Sequence, residues 1–420
     1  MKTFMTFIVV AFVAFGCKKS PEIGLRLTAG NYSYMECPVS VNLSKLFQIE
    51  SQHVELYEIK DGAEIFIPLQ YDSESMDEIL WFFMEGRLEK GESREYLLKE
   101  VKKKKKSSVT KMFIEEDEDE INIFEDNQHI LAYRKTELLP PDSVDEIYKR
   151  SAFIHPLHSP GGEILTRIQP PDHYHHYGIW APWTKTFINE REIDYWNLAK
   201  GEGTVRHQAI LSKSTGPHYV SFLALQEHID KGHSDGERVA MDEFWEIRYW
   251  GNEKSGLRYS LDLNSTFRNI LEDTILLDAY RYGGGLGYRA TARWKADNSS
   301  ILTSEGHDRR TADGSRARWC ILEGISDVKE GRSGLLFMSH PDNREHPEPM
   351  RVWPEDAGDG DVFFEFCPIR HTSWEIIPAF DYSLRYRIVV FDGTMSREDA
   401  EMYWNGFANA PQLTLTNKKE

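Results

Sequence analysis

Cysteine is scarce in this chain, with 4 in 420 residues. No CxxC occurs, so a zinc ribbon or a dithiol redox motif is excluded. HExxH is also missing, which removes the helical metalloprotease signature. An excess of positive charge is lacking as well: 50 Lys+Arg stand against 68 Asp+Glu, a net charge of −18. A nucleic-acid binder needs a basic face for phosphate, so no nucleic-acid partner is expected. After the first residues no run of about 18 apolar side chains is present that could cross a bilayer. Recurring helical segments are wanting too, which argues against alternating βαβ units. What the chain has in quantity is aromatic surface, 22 Phe, 19 Tyr and 11 Trp, enough to exclude disorder for most of its length.

The N-terminus reads Met1-Lys2-Thr3 and then runs almost wholly apolar from Phe4 to Phe15, ending Gly16-Cys17-Lys18-Lys19. One cation followed by about a dozen apolar residues is the pattern of a secretory leader. A small residue directly before Cys17 resembles a bacterial lipoprotein cleavage site, with Cys17 lipidated. Residues 1–16 are expected to be the signal peptide and 17–24 the lipidated tether. Lys18-Lys19-Ser20 carries no acidic cluster of the kind linked to surface export, so the expected place is the outer membrane, facing the periplasm. The membrane is contacted through the lipid alone. Cys37, Cys320 and Cys367 remain, and an oxidising compartment would permit one disulfide among them.

Short alternating segments fill residues 25–106, among them Val54-Glu55-Leu56-Tyr57-Glu58-Ile59 and, past the turn Asp61-Gly62, Glu64-Ile65-Phe66-Ile67. Period-two alternation with a turn dipeptide predicts hairpins and a small β-sandwich domain. The basic run Lys102–Lys106 and the acidic run Glu115–Glu120 read as a solvated linker or a hairpin tip, with an acidic-glycan patch as the alternative. From 107 to 420 the strand signals hardly stop, as in Tyr219–Leu225, Leu257–Leu263 and Tyr382–Ile388. The fold expected is all-β, a large antiparallel β-sandwich preceded by the small one. Ser396 and Asp399 form a capping box that opens one terminal helix.

Chemistry concentrates in Pro170-Pro171-Asp172-His173-Tyr174-His175-His176-Tyr177-Gly178-Ile179-Trp180. In an extended segment His173 and His175 share one face and His176 takes the other. Such imidazoles can exchange protons near neutral pH or bind sugar hydroxyls. His173 and His175 can also hold a divalent metal ion with Asp172, or serve as structural hydrogen-bonding groups. Around them stand His155, Trp180, Trp183 and Trp196, and flat rings beside polar groups suit a pyranose face, although each Trp also suits a core. The loop Ser339–Pro349 brings His340 and His346, which would complete the site. Glu227 and Asp242-Glu243 are further candidate bases. Gly283-Gly284-Gly285-Leu286-Gly287-Tyr288-Arg289-Ala290 matches GxGxxA, but it continues as a strand, so its glycines are read as a close backbone approach with Arg289 projecting beside it.

His155–Gly162, Pro170–Trp180, Asp194-Tyr195-Trp196-Asn197, Gly284–Arg289, Ala317-Arg318-Trp319 and His340–Pro347 together resemble the secreted family labelled methane oxygenase PmoA-like, over about Ala132 to Phe407 and the small N-terminal region. The resemblance implies membership and company among glycan-degrading lipoproteins. The long antiparallel body is similar to the galactose-mutarotase-like supersandwich, which implies a carbohydrate substrate. The catalytic residues expected are His173, His175, His176 and His340. His155, Asp172, Trp180, Trp196, Arg289 and His346 are expected to bind substrate, for hydrolysis, elimination or epimerisation of a glycan. Non-catalytic glycan binding and a metal-dependent lyase or oxidoreductase are the alternatives.

Overall fold

A computed structural model describes residues 22–43, 54–72, 78–101 and 111–416. The leader, Cys17 and Lys102–Lys106 lie outside the described residues. Among those described, strands dominate and one α-helix, Arg397–Ala408, is present. Two small sheets, one of five strands and one of three, enclose a single core of Leu25, Leu27, Val39, Leu56, Phe82 and Leu98. The strand Gln412–Thr416 pairs with Glu22–Thr28 in this unit, so the last described strand returns to the first described one, a pairing that crosses the sequence division at 106/107.

The large body is a sandwich of a nine-stranded and an eight-stranded antiparallel sheet. Alternation builds it. Along Arg238–Asn252, Glu243, Trp245, Ile247 and Tyr249 are buried, while Asp242, Phe244, Glu246 and Arg248 between them are less so. The acidic run Glu115–Glu120 is the tip of the hairpin joining Met112–Glu116 to Glu120–Glu125. In the nine-stranded sheet Ile179, Leu286, Tyr288, Met350, Val352, Phe364 and Phe366 enter the central core. Their neighbours in sequence, Trp180, Arg289, Arg351, Phe363 and Glu365, therefore take the opposite face.

The helix begins where the capping box placed it, with Ser396 accepting from the Asp399 amide at 3.0 Å. Its apolar side, Met402, Tyr403, Trp404 and Phe407, covers the outer face of the eight-stranded sheet at Trp319, Leu336, Met338 and Phe391. Cys37, Cys320 and Cys367 are free and buried, so the disulfide that an oxidising compartment would permit is not formed among them. A groove of about 930 Å³ separates the sandwiches, lined in part by Ile65, Phe66, Phe83, Glu125, Trp250 and Glu253. It contains none of the site residues expected from sequence.

Candidate active site

The His-rich segment is not extended. Pro170 accepts from the His173 amide at 2.8 Å and His173 accepts from the His176 amide at 3.0 Å, giving two successive turns closed at the base by Gln169 N–H to His176 C=O at 2.8 Å. Proline restricts φ at the start of this run and offers no N–H of its own. Gly178, at φ +64°, leads into the strand Ile179–Trp180, and a Cβ there would meet the Ile154 carbonyl at 2.3 Å. The turns correct the expected two-face arrangement by bringing all three imidazoles together. Ring centroids lie 5.4 Å apart for His173 and His175, 4.7 Å for His173 and His176, and 4.9 Å for His175 and His176.

Nδ1 of His173 sits 2.8 Å from Asp172 Oδ2, and both side chains are 34% exposed. Nη2 of Arg289 donates to Asp172 at 3.0 Å and to Asp361. Burial works against the Asp172 carboxylate, but the bonds from His173 and Arg289 prevail and hold its pKa below the ordinary value. An ionised Asp172 requires the proton of His173 to reside on Nδ1, which leaves Nε2 as the atom for proton exchange. Burial, followed by the charge of His173, pushes His175 down to about 4. His176 is fully buried, and burial, followed by its neighbours His175 and Arg289, holds its pKa well below the ordinary value. The exposed imidazole is thus backed by two neutral ones.

His176 packs among Trp180, Trp196, Trp353 and Phe363 at 5.2–5.6 Å between ring centroids. Trp180 and Trp196 are 0% and 3% exposed, so they wall the histidines and do not offer the free stacking platform expected of them. Trp196 Nε1 donates to the His175 carbonyl at 3.1 Å. Several buried polar atoms on this face lack a partner: both ring nitrogens of His176, Trp180 Nε1, Nε and Nη1 of Arg289, Arg309 Nη1, Arg351 Nε and Glu365 Oε2. Buried polar groups are ordinarily satisfied, so such a concentration marks a place built to meet a ligand or ordered solvent.

The other expected residues divide. His155, on the strand Ile154–Leu157, is bonded to Thr166 Oγ1 at 2.8 Å. His340 packs on Phe407 and His346 on Trp404 of the helix. Neither has a bond or ring contact to the His173 cluster among the described residues, so they do not close that site. Trp183 fills the central core. Glu227 and Asp242 face each other across neighbouring strands, and Glu243 is buried with His228 Nε2 at 2.7 Å. Gly284 and Gly285 have φ of +68° and +69°, and a Cβ on Gly284 would lie 1.9 Å from the Trp183 ring, the close approach expected of the glycine run. No three His, Cys, Asp or Glu groups among the described residues converge as metal ligands. His173 and His175 meet with interplanar angle 68° and Nδ1 of His173 is taken by Asp172. Arg167, Lys295, Asp361, Tyr282 and Trp353 join the site without a sequence signal. Trp353 and Arg351 both donate to Tyr282 Oη at 3.1 Å.

Solved structures similar to the chain include an α-galactosidase from Lactobacillus brevis, at 8% identity and TM-score 0.33 over 68% of this chain and 40% of that one. A heparan sulfate lyase from Pedobacter heparinus aligns at 7% identity and TM-score 0.30 over 70% and 38%. A galactose mutarotase related enzyme from Lactobacillus acidophilus aligns at 9% and 0.33 over 68% and 98%. The galactosidase and the lyase are thus each matched over less than half their length, and likenesses at these TM-scores carry no argument about activity. No curated protein matches the chain. The PmoA-like resemblance stays an expectation of the sequence. A family model does match, over residues 120–405, the span that holds the histidine turns and both large sheets apart from the strand Met112–Glu116, and by that match the chain belongs to DUF6807, a family of unknown function.

Proposed function

We propose that the chain acts on carbohydrate by acid–base chemistry at His173, from a lipid-anchored position in the cell envelope. The observation that carries the reading is the 2.8 Å bond between His173 Nδ1 and a carboxylate that Arg289 holds in place. An orienting carboxylate fixes the tautomer and steadies the imidazolium as it forms, and hydrolysis, elimination and epimerisation of a sugar each need such a donor or acceptor. His175, His176 and the surrounding indoles support the ring from behind.

Incubation of the full chain with a panel of plant, host and bacterial glycans should release or alter one of them. His173→Ala should slow that reaction by about a hundredfold or more. Turnover at the parent rate by His173→Ala ends the assignment, and binding that persists without product over long incubation assigns the chain to glycan capture instead. The anchor rests on the apolar run before Gly16-Cys17. Cys17→Ser should move the protein from the outer-membrane fraction to the soluble periplasm, and unchanged membrane association would count against lipidation.

A further inference from the structure

The unpartnered atoms of the site are unequal in kind. Nε and Nη1 of Arg289, Nη1 of Arg309, Nε of Arg351 and Nε1 of Trp180 can only donate. Glu365, whose second oxygen is also unpartnered, is fully buried, and burial raises its pKa well above the ordinary value. His176 supplies one donor and one acceptor. The face therefore needs acceptors.

Charge points the same way. Asp361 is shared by Arg167 Nη1 at 3.0 Å, Arg289 Nη2 and Lys295 Nζ, while Arg309 donates to its backbone carbonyl at 2.5 Å and to that of Gly360 at 2.9 Å. With Asp172 on Arg289, four cations surround two carboxylates, in a chain whose net charge is −18. Arg289 is fully buried under Trp353, its guanidinium 4.6 Å from the ring centroid. The side chains of Arg167 and Lys295 are 25% and 39% exposed, so they reach an incoming molecule directly.

Resting on the carbohydrate reading above, we infer that the substrate is an acidic sugar, a uronate whose carboxylate is taken by Arg167 and Lys295 over the buried Arg289. Paired charge-assisted donors suit a planar carboxylate. With its charge so neutralised, the C–H beside the carboxylate becomes the most acidic on the ring. Nε2 of His173 takes that proton, and the C–H electron pair spreads into the carboxylate as an enediolate. The pair then either regains a proton at carbon or forms a C=C bond as the oxygen β to the carboxylate leaves with its own bonding pair and takes the proton from the imidazolium. Neither branch consumes an oxidant or a metal.

Titration calorimetry of the full chain with oligomers of glucuronate and galacturonate, with the matched neutral oligomers and with hexose 6-phosphates tests the substrate class. Uronates should bind about tenfold or more tightly than their neutral counterparts. Arg167→Gln and Lys295→Gln should each cut that preference to below about twofold with an unchanged circular-dichroism spectrum. Equal binding of neutral and acidic oligomers, or a preference for the phosphates, overturns the inference; if neutral glycans are then processed with dependence on His173, the carbohydrate reading stands without it. If no sugar of any kind binds or reacts, both fall. In D2O the carbon beside the carboxylate should gain deuterium, or an unsaturated uronate should form. Simple hydrolysis of a uronan with neither change overturns the proton-abstraction step.

Discussion

Nδ1 of His173 bonds at 2.8 Å to the same Asp172 oxygen that accepts from Arg289 Nη2 at 3.0 Å. The carboxylate therefore has two duties, orienting the imidazole above it and offsetting the guanidinium below it.

Asp172→Asn separates these from mere volume. The amide preserves shape but removes the charge that steadies a protonated His173, so kcat on the substrate found in the glycan panel should fall about a hundredfold. The melting curve should move by less than about 2 kcal/mol of stability, because the carboxylate is one-third exposed. An Asn variant as fast as the parent would remove Asp172 from the mechanism.

His176→Phe tests the unpartnered ring. A fully buried imidazole with both nitrogens unsatisfied pays a desolvation penalty that a phenyl ring of similar shape does not. Chemical denaturation should show stability equal to the parent or up to about 1 kcal/mol higher. A clear loss would mean that a bound group satisfies those nitrogens in solution.

Acid should weaken the fold. Burial pushes His155, His175 and His340 down to about 4 from an ordinary 6.5. Between those values the unfolded chain takes protons that the folded protein refuses, so stability rises with pH over that window and is lost as pH falls from 6.5 toward 4. Glu348 has the opposite sign. Buried between Ser339, Asn343 and Tyr386, its carboxyl is pushed up to about 7, so its contribution is complete below 4.5 and lost as pH rises through 7. Melting temperature should climb from pH 4 to 6.5, and Glu348→Gln should gain on the parent from pH 5 to 8. A parent-to-variant gap that stays constant across that range contradicts a buried neutral carboxyl.

Gly284→Ala should be among the most damaging single-methyl changes in the chain. The new Cβ would stand 1.9 Å from Trp183, and φ of +68° disfavours any L side chain. We expect a loss of more than about 3 kcal/mol, read by thermal unfolding, with a changed indole emission as Trp183 moves. Near-parent stability would show that the backbone can relax there.

Strand content was legible because both faces of each strand leave a trace: the alternation of Tyr382–Ile388 lies within the strand Asp381–Asp392, and the Ser396 cap opens the helix. The histidine cluster was legible as composition but not as shape, since period-two reasoning has no term for consecutive turns. Asp361, Arg167 and Trp353 were invisible because the sheet brings them to Arg289 from far along the chain, and no local pattern marks an isolated Asp as the partner of three cations. His340 and His346 misled for the complementary reason. They looked like the first cluster in chemistry, but the strand Arg332–Ser339 delivers their loop to the helix, where they pack on Phe407 and Trp404.

The pairing of Gly24 with Thr416 has a practical consequence. Both ends of the described chain, Glu22 and Thr416, therefore reach the same margin of the small sheet, so the two ends of the described residues are held by one set of ladder bonds. A probe that must leave this shared margin undisturbed is better placed at the hairpin tip Glu115–Glu120, which belongs to the nine-stranded sheet of the other sandwich.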